Sequence, residues 1–73
     1  MELSIRILSE TEQETRLRVA DGVTYEQVLE VLGINLEQVL VLRNGVPVPD
    51  DERVAEKGVF DAKITIIRIV SRG

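Results

Sequence analysis

Two segments near the start of the chain alternate between apolar and polar side chains with a period of two. Residues 2–8 follow this pattern, and Leu17 and Val19 alternate with arginines further along. The period is typical of strands with one buried face. The polar stretch 9–13 between them predicts a turn, so the two strands should form a hairpin.

A helical pattern follows over residues 24–32. Thr24 and Gln27 have the spacing of a capping box, in which two side chains bind the unpaired amides of a helix start. Gly33 is a natural helix stop. Four apolar residues then share one face of the helix at the spacing i, i+3, i+4 and i+7: Tyr25, Val28, Leu29 and Leu32.

The next predicted element is a second hairpin. Residues 39–43 form a third strand, and Asn44 with Gly45 is the dipeptide that most readily adopts the positive φ angles of a type I′ turn. Pro47 and Pro49 lack the N–H that a strand ladder requires. The short return strand should therefore lie at an edge of the sheet.

The last part of the chain combines a polar excursion with the most apolar strand. Residues 50–58 are largely polar, and a short helical turn is expected at 52–55. From 62 to 70 the pattern is again that of a strand, with Ile64 and Ile66 on one face. This strand should occupy the centre of the sheet.

The element order is therefore β-β-α-β-β-β, which predicts an α+β protein with the β-grasp arrangement. One helix covers one face of a mixed sheet of four to five strands, and the first and last strands pair in parallel at its centre. A chain of 73 residues suits one such domain over 1–73, with 71–73 as a flexible tail.

Composition excludes several classes of chemistry. Cysteine and histidine are both absent, so the chain has no thiol nucleophile, disulfide, Cys/His zinc site or imidazole acid–base group. We expect no intrinsic catalysis. The net charge of −4 has the wrong sign for a nucleic-acid partner. No run of 18 apolar residues and no basic leader is present, which predicts a cytoplasmic protein without a membrane partner.

The densest acidic cluster, residues 50–52, does not predict a metal site. Its spacing matches no calcium loop, and three consecutive carboxylates cannot all converge on one ion. A solvated loop is the better interpretation.

The open face of the sheet is one candidate site. If Val39 and Val41 face the core, aliphatic side chains of the two last long strands point outward, and an exposed aliphatic patch usually marks a partner-docking face. The alternative is that loops shield them, or that a register shift places them inside. The residues concerned are Leu40, Leu42, Ile67 and Ile69.

The C-terminal residues are the second candidate site. Ser71, Arg72 and Gly73 follow the apolar strand, and a terminal residue without a Cβ can enter a narrow channel of another protein. A frayed terminus is the alternative.

Two segments resemble the ubiquitin-like sulfur-carrier family, which includes the thiamine-biosynthesis sulfur carrier and the small subunit of molybdopterin synthase (ThiS/MoaD type). Residues 44–49, Asn-Gly-Val-Pro-Val-Pro, are similar to the family turn N-G-x-x-V-P. Residues 64–73 are similar to the family ending I-x-I-I-x-V-V-x-G-G. The resemblance covers the whole chain.

The resemblance implies that Gly73 is the covalent carrier and adenylation site. An adenylating, ubiquitin-activating-like partner would use ATP to activate its carboxylate and convert it to a thiocarboxylate. A synthase of thiamine or molybdenum cofactor (molybdopterin) biosynthesis would then accept the sulfur. The chain itself would bind no cofactor or metal.

Two alternatives to sulfur carriage remain open. In the first, the chain is a protein modifier that is joined through Gly73 to lysines of other proteins. In the second, it is a binding-only module without tail chemistry. Arg72 stands where the family has its penultimate glycine. That substitution is compatible with an altered partner, with the loss of sulfur carriage, or with a partner that grips only the last residue.

Overall fold

A computed structural model describes residues 1–55, 58 and 61–69 of the chain. Its elements, in chain order, are β1 (Glu2–Leu8), β2 (Glu12–Arg18), α1 (Tyr25–Leu32), a 3₁₀ turn (Leu36–Gln38), β3 (Val39–Arg43), β4 (Val46–Pro47) and β5 (Asp61–Arg68). Within this described part, no helix is long enough to cross a bilayer, since α1 has eight residues.

The five strands form one mixed sheet in the order β2-β1-β5-β3-β4. The central pair, β1 and β5, is parallel, with Leu3 beside Ala62 and Ile5 beside Ile64. The other pairs are antiparallel. The predicted β-grasp arrangement is confirmed, including the central position of the last strand and the edge position of the proline-containing strand.

The core lies between the sheet and α1. Alternate residues of the three central strands supply one side, and the apolar face of α1 supplies the other, as the period-two and helical patterns predict. The buried apolar residues are Leu3, Ile5, Tyr25, Val28, Leu29, Val41, Val54, Ala62, Ile64 and Ile66.

Both ends of α1 have the caps that the sequence predicts. The backbone N–H of Gln27 donates to the Thr24 hydroxyl at 3.2 Å, and the Thr24 N–H donates to the Gln27 side-chain oxygen at 2.9 Å. Gly33 has a φ of 74°, and its N–H donates to the Glu30 carbonyl at 3.1 Å. A side chain at position 33 would be strained in this left-handed conformation.

The segment after β4 differs from the prediction. Residues 52–55 do not form a helical turn: Arg53 makes an isolated antiparallel bridge with Thr24, and the Val54 N–H donates to the Val23 carbonyl at 2.9 Å. Tertiary contacts explain the difference, because the Val54 side chain is buried in the core at 3% exposure. Its backbone therefore pairs with the residues before α1 rather than with its own segment.

The same segment completes the hydrogen bonding of the helix start. The Tyr25 N–H donates to the Glu52 carbonyl at 3.1 Å, and the Glu26 N–H donates to the Asp50 carbonyl at 2.9 Å. The first amides of a helix have no partner within it. Loop 50–54 therefore supplies two of the acceptors that these amides need.

Smaller differences concern element boundaries. The first turn is shorter than predicted, because Glu12 already pairs with Leu8 in the hairpin. The second turn is confirmed, with positive φ angles of 54° at Asn44 and 80° at Gly45. The last strand ends at Arg68, and Val70, its predicted end, lies outside the described residues.

We predict that Leu29→Ala lowers the free energy of unfolding by about 2–5 kcal/mol, because it leaves a cavity at a residue that is 1% exposed. Urea unfolding at equilibrium measures the change. Val31→Ala, at an exposed position of the same helix, is the matched control and should change stability by less than about 0.5 kcal/mol. Equal stability of the two variants would contradict the packing of α1 described above.

Candidate functional site

A row of three aliphatic side chains crosses the three central strands on the face opposite α1, near the C-terminal ends of β1 and β5. Leu8 of β1 pairs with Ile67 of β5, and Ile67 pairs in turn with Leu40 of β3. Residues directly opposite each other in a sheet project to the same face, with Cβ atoms about 4.5–5.5 Å apart. The backbone register therefore brings these three side chains together.

Leu42 extends this row toward β4. It pairs with Thr65 on one side and with Pro47 on the other. We call Leu8, Leu40, Leu42 and Ile67 the outer aliphatic patch. Leu40 is 37% exposed, and the other three are partly buried.

The register of β3 and β5 decides which face each residue occupies. Val41 and Ile66 are paired with each other and buried at 3% and 0% exposure, so they belong to the core. Their chain neighbours must then project to the outer face. This register excludes the alternative of a shifted register, in which Leu40 and Ile67 would lie in the core.

Ile69 lies just beyond the end of β5. Its N–H donates to the Gln38 carbonyl at 3.0 Å, which continues the pairing toward β3, and its side chain is 60% exposed. It is therefore an exposed aliphatic residue next to the patch in sequence.

Leu8 is not among the docking residues that the sequence predicts. It is nevertheless an even-numbered residue of β1, like the other residues of this strand that project to the outer face.

The remainder of the outer face is charged. The ion pairs among its described residues are Arg6 with Glu12 at 3.4 Å, Arg6 with Glu14 at 3.3 Å, and Arg16 with Glu2 at 3.7 Å. A shallow groove of about 680 Å³ lies here, lined in part by Ser4 and Lys63. This half of the face therefore presents ion-paired charged side chains, whereas the outer aliphatic patch presents apolar ones.

A second depression, of about 650 Å³, lies beside the start of α1. The Val54 carbonyl at this site accepts hydrogen bonds from the Arg43 guanidinium and, at 3.5 Å, from the Tyr25 hydroxyl. Both side chains therefore hold loop 50–54 in place. The described residues contain no group of three or more acidic side chains placed to hold a metal ion, and residues 50–52 are not such a group.

The predicted tail residues, Ser71, Arg72 and Gly73, lie outside the described residues. In the sequence, four residues lead from Ile69 to Gly73. The strand that precedes them, β5, is the central strand of the sheet and carries Ile67 of the outer aliphatic patch. The two candidate sites are therefore linked by a few residues of chain.

We predict that Leu40→Gln lowers the free energy of unfolding by only about 1 kcal/mol or less, because the side chain is 37% exposed and loses only cross-strand contacts on the outer face. Ile66→Ala, on the neighbouring strand but in the core, should cost about 2–5 kcal/mol. Thermal unfolding of both variants checks the assignment of the two faces. A large loss of stability in Leu40→Gln would mean that Leu40 is a core residue.

Comparison with known proteins identifies relatives of the whole chain. Residues 1–70 match the family model described as small archaeal modifier protein 2. An uncharacterized protein of Archaeoglobus fulgidus is 37% identical over 73 residues, which is 100% of both chains.

Two solved structures share the fold at low sequence identity. SAMP1 from Haloferax volcanii has a TM-score of 0.71 at 17% identity, with 100% of both chains covered. A ubiquitin-like protein from Caldiarchaeum subterraneum has a TM-score of 0.62 at 18% identity and covers 100% of this chain and 97% of that one. These similarities establish the ubiquitin-like β-grasp fold. On the match over residues 1–70, the chain belongs to the small archaeal modifier protein 2 family.

Proposed function

We propose that this chain is a ubiquitin-like protein modifier. A separate adenylating enzyme activates the carboxylate of Gly73, which is then joined to lysine amines of other proteins. The observation that carries the proposal is that the central strand β5 both contributes Ile67 to the outer aliphatic patch and leads into the last residues of the chain. The membership of a modifier family supports it.

The patch and the C-terminal residues suit recognition by one partner. A chain of four residues spans at most about 14 Å, so a protein that contacts Ile69 and the patch would also have Gly73 within reach. Burial of the aliphatic side chains would supply affinity, but it would not fix the orientation of the partner, because the hydrophobic effect is non-directional. The charged half of the outer face, with Arg6 and its carboxylate partners, would orient the partner.

The proposed chemistry needs no catalytic group in this chain. A carboxylate is a poor acylating group because its oxygen is a poor leaving group. In the activating enzyme, an oxygen of the Gly73 carboxylate attacks the α-phosphorus of ATP and pyrophosphate leaves, which produces an acyl-adenylate. A lysine amine then attacks the acyl carbon, AMP leaves, and the nitrogen loses a proton as the amide forms.

Sulfur carriage is a second candidate, favoured by residues 44–49 and 64–70, which resemble the turn and the last strand of sulfur carriers. The first step is the same. Hydrosulfide supplied by a partner would then attack the acyl carbon, AMP would leave, and loss of the S–H proton would give a thiocarboxylate on Gly73. A sulfur-accepting synthase of thiamine or molybdenum cofactor biosynthesis would consume it, and the two fates differ only in the nucleophile that meets the acyl-adenylate.

The conjugation proposal predicts a specific peptide signature. Trypsin cleaves after Arg72, so a lysine joined to Gly73 should retain a single glycyl group after digestion. The measurement is mass spectrometry of host-cell proteins after expression of the tagged chain with its cognate activating enzyme. Deletion of Gly73 should abolish the adducts, and Ser71→Ala is the matched tail control.

The outcomes of this experiment separate the candidates. Lysine adducts support the modifier. A mass gain equal to the replacement of one oxygen by sulfur on the intact chain, without adducts, supports the carrier. Absence of both with the cognate activating enzyme would overturn the proposal and leave a binding-only module, whose partner affinity should survive removal of residues 71–73.

A second prediction tests the outer aliphatic patch. Leu40→Glu should lower the rate of adenylation by about tenfold or more, since it places a charge in the centre of an apolar contact. Val31→Glu is the matched control, because Val31 is also an exposed aliphatic residue but lies on α1, on the other side of the sheet. ATP–pyrophosphate exchange measures the rate. Equal effects of the two variants would exclude the patch as the docking face.

A further inference from the structure

Strand β2 leaves one long edge of the sheet open. It stands at the end of the strand order and pairs with β1 on one side, and no other strand of the described residues covers its second side. It is seven residues long and contains no proline, in contrast to the two-residue β4 at the opposite edge. Long open edges are templates for pairing with another chain.

The hydrogen bonds of the first hairpin show which backbone groups point to this edge. Met1 and Val19 exchange two bonds: the Met1 amino group donates to the Val19 carbonyl at 3.0 Å, and the Val19 N–H donates to the Met1 carbonyl at 2.9 Å. Bonded and non-bonded pairs alternate along an antiparallel ladder. The odd-numbered residues of β2 therefore face β1, and the even-numbered ones face the open edge.

The four residues that present their backbone to the open edge carry an ordered charge pattern. In chain order they are Glu12, Glu14, Arg16 and Arg18. All four side chains are exposed, and all four lie on the outer face. One half of the edge is therefore acidic and the other half is basic.

The charge pattern of β2 complements the β2 strand of a second copy of the chain when the two strands pair in one particular register. When two β2 strands pair antiparallel about a two-fold axis through Thr15, Glu14 faces Arg16 of the second copy, and Glu12 faces Arg18. These pairs are also the ones whose N–H and C=O groups point across the edge. A shift of two residues in either direction would set Glu14 against Glu14 or Arg16 against Arg16, which is unfavourable.

We propose that the chain forms a two-fold symmetric homodimer through β2, with Thr15 on the axis. The two five-stranded sheets then form one continuous sheet, and opposite charges face each other along the junction. The ion pairs of Arg6 with Glu12 and Glu14 are compatible with this arrangement, because these exposed carboxylates have further acceptor capacity. The outer aliphatic patch of each copy stays open, so the proposal does not depend on the proposed function.

The size of the contact indicates a weak, concentration-dependent dimer. Edge pairing of one strand buries less surface than the stable class of protein interfaces. Part of the affinity comes from exposed charges, so the dimer should weaken as the salt concentration rises.

Cysteine cross-linking tests the register directly, because the chain has no native cysteine. Thr15 would lie opposite its own copy in a non-bonded pair, with Cα atoms about 4.5 Å apart, which is within the range of disulfides. Thr15→Cys should therefore form a covalent dimer under mild oxidation. Gln13→Cys is the control on the same strand and face, and its two copies would be about 13 Å apart.

The cross-linking outcomes are decisive. Dimer formation by Thr15→Cys, at least about tenfold faster than by Gln13→Cys, supports the two-fold register. Equal rates would mean collision without a fixed register, and no cross-link at Thr15→Cys would exclude the pairing. Either result overturns the proposal.

Charge exchange provides an independent test by sedimentation equilibrium. Glu14→Arg and Arg16→Glu each create like-charge pairs across the axis and should weaken dimerisation by about tenfold. The double variant Glu14→Arg/Arg16→Glu restores opposite charges and should return to within about threefold of the original affinity. An equimolar mixture of the two single variants should form heterodimers, because their edges complement each other.

Two controls keep this test specific. Glu30→Arg makes the same change of net charge as Glu14→Arg at an exposed position of α1 and should leave dimerisation unchanged. Thermal unfolding checks that each variant is folded. A double variant that associates no better than the single ones, or a native chain that stays monomeric up to about 1 mM, would overturn the proposal.

Discussion

The parallel pairing of β1 with β5 is the constraint on which the rest of this structure depends. It joins the first and last strands at the centre of the sheet, where Ile5 and Ile64 lie side by side in the core. Parallel neighbours cannot be joined by a tight turn, so the intervening chain must cross over one face of the sheet. Helix α1 makes that crossing and covers the face with its apolar side. No described element covers the other face, on which Ile67 and Leu40 lie.

The helix and the loop before β5 depend on each other. The start of α1 is satisfied partly by its own capping box and partly by the carbonyls of Asp50 and Glu52. The loop in turn is held by Val54, whose side chain fills the core and whose carbonyl binds Arg43 and Tyr25. A polar segment without regular structure is thereby fixed over the sheet.

The proposed function assigns different tasks to different parts of one small sheet. The central strand would connect the docking patch to the reactive glycine, while catalysis would belong to the partner enzyme. The two edges are also unlike: β4 is short and contains Pro47, which disfavours further pairing, whereas β2 is long and carries a charge pattern that complements a second copy. In this proposal a chain without cysteine or histidine takes part in acyl-transfer chemistry because it is the substrate of the partner enzyme.

The sequence by itself determined the element order, the helix caps and the inward face of each long strand, because these follow from local periodicity and from residues such as Thr24 and Gly33. It also indicated the outward aliphatic side chains, but not Leu8 among them. Only the tertiary structure decided that Leu8 joins Leu40 across β5, since pairing between distant strands is not encoded in either strand alone. The same reason explains the incorrect helical turn at 52–55, where burial of one valine outweighed local preference, and the open edge of β2, which exists only once the strand order is known.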